Sequence, residues 1–116
     1  MGRICHNSII VTGHIAREDE FRGLRDYAVG LFGFEFVTPM IVTDLNGYMF
    51  FFVAPDGSKE GWSQSDDGDA KRIEFCDHID SLADEEDGSN FFNYIEVSHG
   101  ERIHGKDSAI IERTNY

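Results

Sequence analysis

Basic side chains are scarce in this chain: 10 Lys and Arg stand against 22 Asp and Glu, leaving a formal net charge of −12. A field of that sign repels phosphate, which argues against direct nucleic-acid contact and against adhesion to an anionic membrane. Long apolar runs are missing too. A membrane-spanning helix needs about 20 apolar residues, no stretch approaches that, and the opening Met1-Gly2-Arg3-Ile4-Cys5-His6 has no signal-peptide core. A cytoplasmic location, without membrane association, is the expectation. Cysteine is limited to Cys5 and Cys76, too little for a disulfide scaffold, so two buried free thiols are expected. Proline occurs only at Pro39 and Pro55, which leaves most of the chain open to regular structure.

What is present suits one domain over residues 1–116. Hydrophobic residues make up 41% of the chain and include ten Phe, enough to offset the ordering entropy of a single core. The charge is unevenly placed. Residues 56–96 hold 13 of the acidic groups and 3 of the basic ones, while residues 97–116 hold 3 of each. A surface so charged attracts a basic protein partner.

The pattern along the chain predicts alternating elements. Ile4 to Thr12, centred on Ile9-Ile10-Val11, reads as a central strand. Phe21, Leu24, Ala28, Leu31 and Phe32 recur at helical spacing from Glu18 to Leu31, with Glu18, Asp19 and Glu20 in the first turn and Gly30 and Gly33 as stop signals. Phe34 to Thr43 reads as a strand that Pro39 confines to an edge. Asn46-Gly47 marks a hairpin turn into an aromatic strand over Tyr48 to Ala54. A second helix is expected from Asp69 to Ala83, with Ser65, Asp66 and Asp67 as caps. At about 100° per residue its stripe of Phe75, Cys76, Ile79, Leu82 and Ala83 lies about 150° from Glu74, Asp77, Asp80 and Asp84. Ile73 falls on the acidic side, which fits a frayed end or a contact residue. Phe91 to Ser98 reads as a fourth strand with Phe91, Ile95 and Val97 on one face, and Ser108 to Glu112 leaves room for a short fifth. Two helices among four strands give the β-α-β-β-α-β order of a ferredoxin-like α+β sandwich, with both helices on one face and strand one between strands three and four.

Chemical signatures are sparse. Cys5 or His6 could approach His99 and His104 across neighbouring strand ends, but metal-site spacing such as Cys-x-x-Cys is missing. Asp66-Asp67-Gly68-Asp69 lacks the alternating ligands of a calcium loop and reads as a helix start. No nucleophile elbow or phosphate-binding loop occurs, and His14 reads as an exposed loop residue. The expectation is a protein without cofactor or catalytic residues. Trp62, in a loop between Gly-rich turns, is either a binding hot spot or a cover for the end of the core.

The segment Cys5-His6-Asn7-Ser8-Ile9-Ile10-Val11-Thr12-Gly13 resembles the first strand of small phage-encoded ferredoxin-like proteins of the Api92-like type, with Arg3-Ile4-Cys5-His6 standing where that family opens on Pro-Asn-Trp-Cys. Pro55 through Trp62 to Gly68-Asp69 resembles small phage proteins as well. The resemblance implies a viral origin and this fold class; it supplies no catalytic residues. On that footing the expected role is inhibition of a host nucleic-acid-handling protein, as an anti-CRISPR or another host-takeover protein would act, through a phosphate-mimicking surface. The expected contact residues are Trp62, Asp66, Asp67, Asp69, Glu74, Asp77, Asp80, Asp84, Glu85, Glu86 and Asp87. Their partner would be a basic surface of a host protein, with this chain a monomer or homodimer. Reversing Glu74, Asp77 and Asp80 is expected to spare the fold. The alternatives are a virion assembly protein forming homo-oligomers through an apolar surface, and a small enzyme or ligand-binding domain using His6, His14 or His99.

Overall fold

Apolar residues at alternate positions make the strands, and the helices close over one side of them. In the computed structural model, which describes residues 5–57, 62–101 and 107–116, β1 spans Cys5–His14, α1 Glu18–Phe32, β2 Ile41–Val42, β3 Tyr48–Val53, α2 Ser63–Asp80, β4 Asn93–Glu101 and β5 Asp107–Thr114. The strands form one antiparallel sheet in the order β2-β3-β1-β4-β5. The chain is therefore an α+β protein of two helices and a five-stranded sheet.

The expected antiparallel sheet is present, with strand one between strands three and four and the fifth strand for which there was room, but its order is not the classic ferredoxin-like β-α-β-β-α-β one. A full strand, β5, pairs along β4 from Glu101↔Asp107 to Ile95↔Thr114, with a bulge between Glu96 and Val97. It makes β4 an interior strand. At the other edge the expected Phe34–Thr43 strand is mostly absent. Phe34–Phe36 form a 3-10 turn, Val37 makes an isolated bridge to Val53, and only Ile41 and Val42 pair with β3. Pro39 has no N–H to offer a ladder. Beside it the Thr38 hydroxyl accepts from the Phe52 N–H at 3.0 Å, and the Thr38 N–H donates to Phe52 O at 3.0 Å.

Strand β1 lies between β3 and β4, and the β2–β3 turn carries the expected signature. Asn46 and Gly47 both have positive φ, 60° and 68°, the left-handed backbone that Gly and Asn adopt most readily, and they close a four-residue loop, Asp44 to Gly47, across which Thr43 N donates to Tyr48 O at 2.9 Å. Helix α1 ends on Gly33 at φ 96°, whose N–H donates to Val29 O at 2.9 Å; Gly30 lies inside it.

The core fills the space between the helices and one face of the sheet. Ile9 and Val11 from β1, Met49, Phe51 and Val53 from β3, and Tyr94 from β4 meet Phe21, Leu24 and Ala28 of α1 and Phe75, Cys76 and Ile79 of α2. The rings of Phe21 and Phe51 lie 5.2 Å apart, and Phe75 meets Phe32 edge-on at 5.7 Å. No helix among the described residues is long and apolar enough to cross a membrane.

Candidate functional site

Helix α2 starts earlier than its apolar pattern suggests. Trp62 occupies the N-cap position, and its carbonyl accepts from Ser65 N at 3.0 Å and Asp66 N at 3.2 Å. Ser65, Asp66 and Asp67 are therefore helical residues, and the expected cap at those positions is corrected. The buried residues Gly68, Phe75, Cys76 and Ile79 fall on one stripe, as an amphipathic helix requires. The helix stops at Asp80, so Leu82 lies beyond it and is exposed. Ile73 sits mid-helix with 56% exposure, which excludes a frayed end as its explanation.

All ten carboxylates from Asp66 to Asp87 are exposed. At about 100° per residue the six on α2 form a broad ridge instead of the single narrow stripe expected, and the other four follow it in the loop beyond Asp80. Asp66 and Asp77 lie opposite the buried residues. Asp69 and Asp80 lie on the flank toward the sheet edge, and Asp67 and Glu74 on the flank toward α1. Glu74 accepts from the Tyr27 hydroxyl of α1 at 3.2 Å; desolvation first, and then the Glu74 charge and this bond, raise the Tyr27 pKa. Trp62, at the N-terminal end of the ridge, is 48% exposed.

Part of this charge is tied down. The Arg113 guanidinium of β5 reaches Asp77 at 2.7 Å and Asp80 at 2.9 Å, and its Nε donates to the Tyr94 hydroxyl at 2.9 Å. Tyr94 in turn donates to Asp80 at 3.0 Å. The bond to Asp77, foremost, holds the Arg113 pKa up, while burial and then Asp80 push Tyr94 up to about 12. Asp69 pairs with Arg72. Asp77 and Asp80 therefore hold α2 to the sheet, so reversing them is expected to disturb the fold and the contrary expectation is withdrawn. Beyond the helix, Asp84 Oδ1 accepts from Glu86 N at 2.8 Å and Asp87 N at 3.2 Å, and Asp87 Oδ1 from Ser89 N at 2.9 Å. These bonds fix the loop and lower the Asp87 pKa, chiefly through the Ser89 N–H. Asp66, Asp67, Glu85 and Glu86 enter no ion pair among the described residues.

The sequence reading missed a polar crevice of about 440 Å³ under α2, lined by Cys5, Asn7, Arg72, Glu96, Glu112 and Arg113 among others. Glu96 is only 8% exposed. Its carboxylate accepts from Asn7 Nδ2 at 3.2 Å and faces Arg72 Nε at 3.6 Å. The signal was a glutamate in phase with Tyr94 on β4, visible only once the phase of that strand is known. A second cavity, about 360 Å³ and more apolar, lies at the C-terminal end of α2 between Leu24, Tyr27, His78, Leu82, Phe91 and Phe92.

Among the described residues, His6 and His99 meet across β1 and β4, and Cys5 turns away from them. Cys5 pairs with Gly100 and His6 with His99, so Cys5 and His6, being successive strand residues, point to opposite faces. The His6 and His99 rings lie 5.1 Å apart, and His104 falls outside the described residues. Among the described residues no three His, Cys, Asp or Glu side chains group as metal ligands. His14 caps the turn after β1, its Nδ1 accepting from Ala16 N at 3.1 Å. Both cysteines are free, but only Cys76 is buried; Cys5, at the start of β1, is half-buried, which corrects the expected burial of both. Burial, aided by Glu96, pushes the Cys76 thiol up to about 12.

Fold and site together define an α+β domain whose second helix presents a carboxylate ridge. No protein-family model, no curated protein and no solved structure matches the chain.

Proposed function

We propose that this chain is a binding protein that acts by occupancy: the ridge from Asp66 to Asp87, with Trp62 at its end, docks on a basic groove of a host nucleic-acid-handling protein and inhibits it. Carboxylates stand in for phosphates, as a counter-defence protein such as an anti-CRISPR, or a host-takeover protein, would use them. The viral setting rests on the resemblance of Cys5 to Gly13 and of Pro55 to Asp69. One observation carries the reading: all ten carboxylates between Asp66 and Asp87 are exposed, while Lys71, Arg72 and His78 are the basic residues of that stretch. The apolar cavity beside Leu82 and Phe91 would add a pocket for an uncharged anchor on the same partner.

Association driven this way is fast and weakens as salt screens it. The test is pull-down from host lysate at low and high salt with the parent chain and with a D66K/D67K/E85K/E86K variant. A basic nucleic-acid-handling protein captured at low salt, released at high salt and lost by the variant is the expected result. Equal capture and equal inhibition by the variant would end the mimicry reading. The alternative of a homo-oligomeric assembly protein draws support from a different feature, the uncovered side of the sheet.

A further inference from the structure

We propose that the polar crevice beneath α2 is a binding site for a guanidinium group on an alkyl stem, the chemistry of an arginine side chain presented by the partner. Strand phase builds its floor. Cys5 and Asn7 lie in step with Ile9 on β1, and Glu96 lies in step with Tyr94 on β4, so all three face α2, whose Asp69, Arg72 and Ile73 form the opposite wall. Glu96 is 8% exposed, and both its contacts, to Asn7 Nδ2 and Arg72 Nε, are made by Oε2. Its Oε1 accepts no hydrogen bond among the described residues. A buried carboxylate oxygen so placed calls for a donor, from water or from a ligand.

Charge selects a cation. Arg72 and Arg113 line the crevice, but Arg72 is held between Asp69 and Glu96, and Arg113 by Asp77 and Asp80. Glu112 of β5 also lines it and enters no ion pair among the described residues. Its Oε1 accepts from the Ser98 hydroxyl at 2.6 Å, which leaves Oε2 open. The carboxylates of Asp69, Asp77, Asp80, Glu96 and Glu112 thus outnumber the two guanidinium groups, so an anion would have to break existing pairs and a cation would not. No three acidic, His or Cys side chains group as metal ligands among the described residues, which points to an organic cation.

Two open acceptors on one face, Glu96 Oε1 and Glu112 Oε2, suit a planar fork of N–H donors better than the point charge of an ammonium. Guanidinium is also the more weakly hydrated, so it loses less on entering a crevice whose wall already holds the Arg72 side chain at 12% exposure. Ile73 gives the stem its place. It lines the crevice, mid-helix and 56% exposed, and an arginine buries its methylenes on such apolar surface while its head reaches a carboxylate. Only the assignment to a protein-borne arginine rests on the docking of the ridge, whose Asp69 borders the crevice; the site for the group itself does not.

The test titrates the isotope-labelled full chain with ethylguanidinium chloride at constant ionic strength and follows the backbone amides by NMR. Tetramethylammonium chloride, equal in charge but without N–H donors, is the control. Saturable shifts at Asn7, Arg72, Glu96 and Glu112 are expected, with ethylguanidinium at least about fivefold tighter than the control. Glu96→Gln should weaken its binding about tenfold. Because that change leaves Arg72 with Asp69 alone, Glu112→Gln, at an exposed residue, serves as the second variant and should weaken binding about threefold. The D66K/D67K/E85K/E86K chain keeps the crevice and should bind ethylguanidinium within about threefold of the parent, so failure of the ridge reading leaves this result unmoved. No saturable shift at those residues, equal binding of tetramethylammonium, or unchanged binding by both Gln variants overturns the site. An arginine held in the peptide Gly-Gly-Arg-Gly-Gly should bind at least as well as ethylguanidinium; a crevice that takes the small base and refuses the peptide overturns the assignment to a protein partner.

Discussion

On the helix side of the sheet, Ile9, Val11, Met49, Phe51 and Val53 are at most 2% exposed. One residue along the same strands, Ile10, Phe50 and Phe52 are equally apolar and lie uncovered by either helix. The outer surface of the helix side carries the carboxylates, whereas the opposite side carries no charge among the side chains described there. Strands apolar on both faces are the pattern of a sheet covered twice, and the helices cover it once. The carboxylates of α2 and its following loop therefore gather on one side of the slab and an apolar sheet surface lies on the other, so the two can serve different contacts.

Truncating an aromatic ring on each side tests that difference most strongly. Phe75→Ala, at a fully buried site, should lower unfolding free energy by about 3 to 5 kcal/mol. Phe52→Ala removes the same ring from the open face and should cost about 1 kcal/mol in urea titrations at low protein concentration. Equal costs would show that the outer face is covered within the monomer. Smaller but still sizeable is Gly13→Ala. A Cβ there would sit 2.4 Å from Phe21 Cδ1, and such overpacking costs about 1 to 3 kcal/mol; Thr12→Ala, pointing the other way, should change stability by less than about 0.5 kcal/mol in the same titration.

The covered side was more legible in the sequence than the open one. Alternation around Ile9 and Val11, the helical spacing of Phe21, Leu24 and Ala28, and Asn46-Gly47 each encode local geometry, and each element formed where its pattern lay. The start of α2 was hidden because Ser63 to Gly68 offers no apolar marker and Gly68 reads as a loop residue. Gly68 is instead a buried helical residue, where a Cβ would press on the side-chain ends Arg72 Nη1 and Asp56 Oδ2, both at 3.1 Å. Phe34 to Phe36 alternates like a strand yet forms a 3-10 turn with Phe34 75% exposed, since Pro39 denies the segment a continuous ladder. Exposure of the acidic residues was readable from their spacing against Phe75 and Ile79. That Arg113 would hold Asp77 and Asp80 was not, because that pairing depends on where β5 lies.

Alkaline pH probes the helix side through Cys76. Its folded pKa lies near 12 against an ordinary thiol value of 9.0, so the unfolded chain releases this proton first. Stability is fully present below pH 9 and falls as pH rises toward 12, by up to about 1.4 kcal/mol per pH unit. Tyr94, also raised to about 12, adds to the loss above its ordinary value of 10.0. Melting temperatures from pH 8 to 11 should fall, and Cys76→Ala should flatten the first part of the decline. Arg113→Ala is milder. It removes half-exposed contacts to Asp77 and Asp80 and should cost about 1 kcal/mol in urea titrations at neutral pH, with the loss shrinking in high salt.

The smallest expected effect on stability is the one that separates fold from contact. Asp66, Asp67, Glu85 and Glu86 are exposed, outside every ion pair among the described residues, and opposed by a large surplus of like charge. Reversing all four to Lys removes no internal ion pair, and the repulsion it relieves offsets the lost attraction of Asp66 for the start of α2, so unfolding free energy should stay within about 1 kcal/mol of the parent. Reversing Asp77 and Asp80 changes the charge by half as much, yet should destabilise the chain because Arg113 then faces two cations. A fourfold reversal that weakens the fold as much as the double one would mean that the outer carboxylates serve the structure, leaving the ridge no surplus of charge for a partner to read.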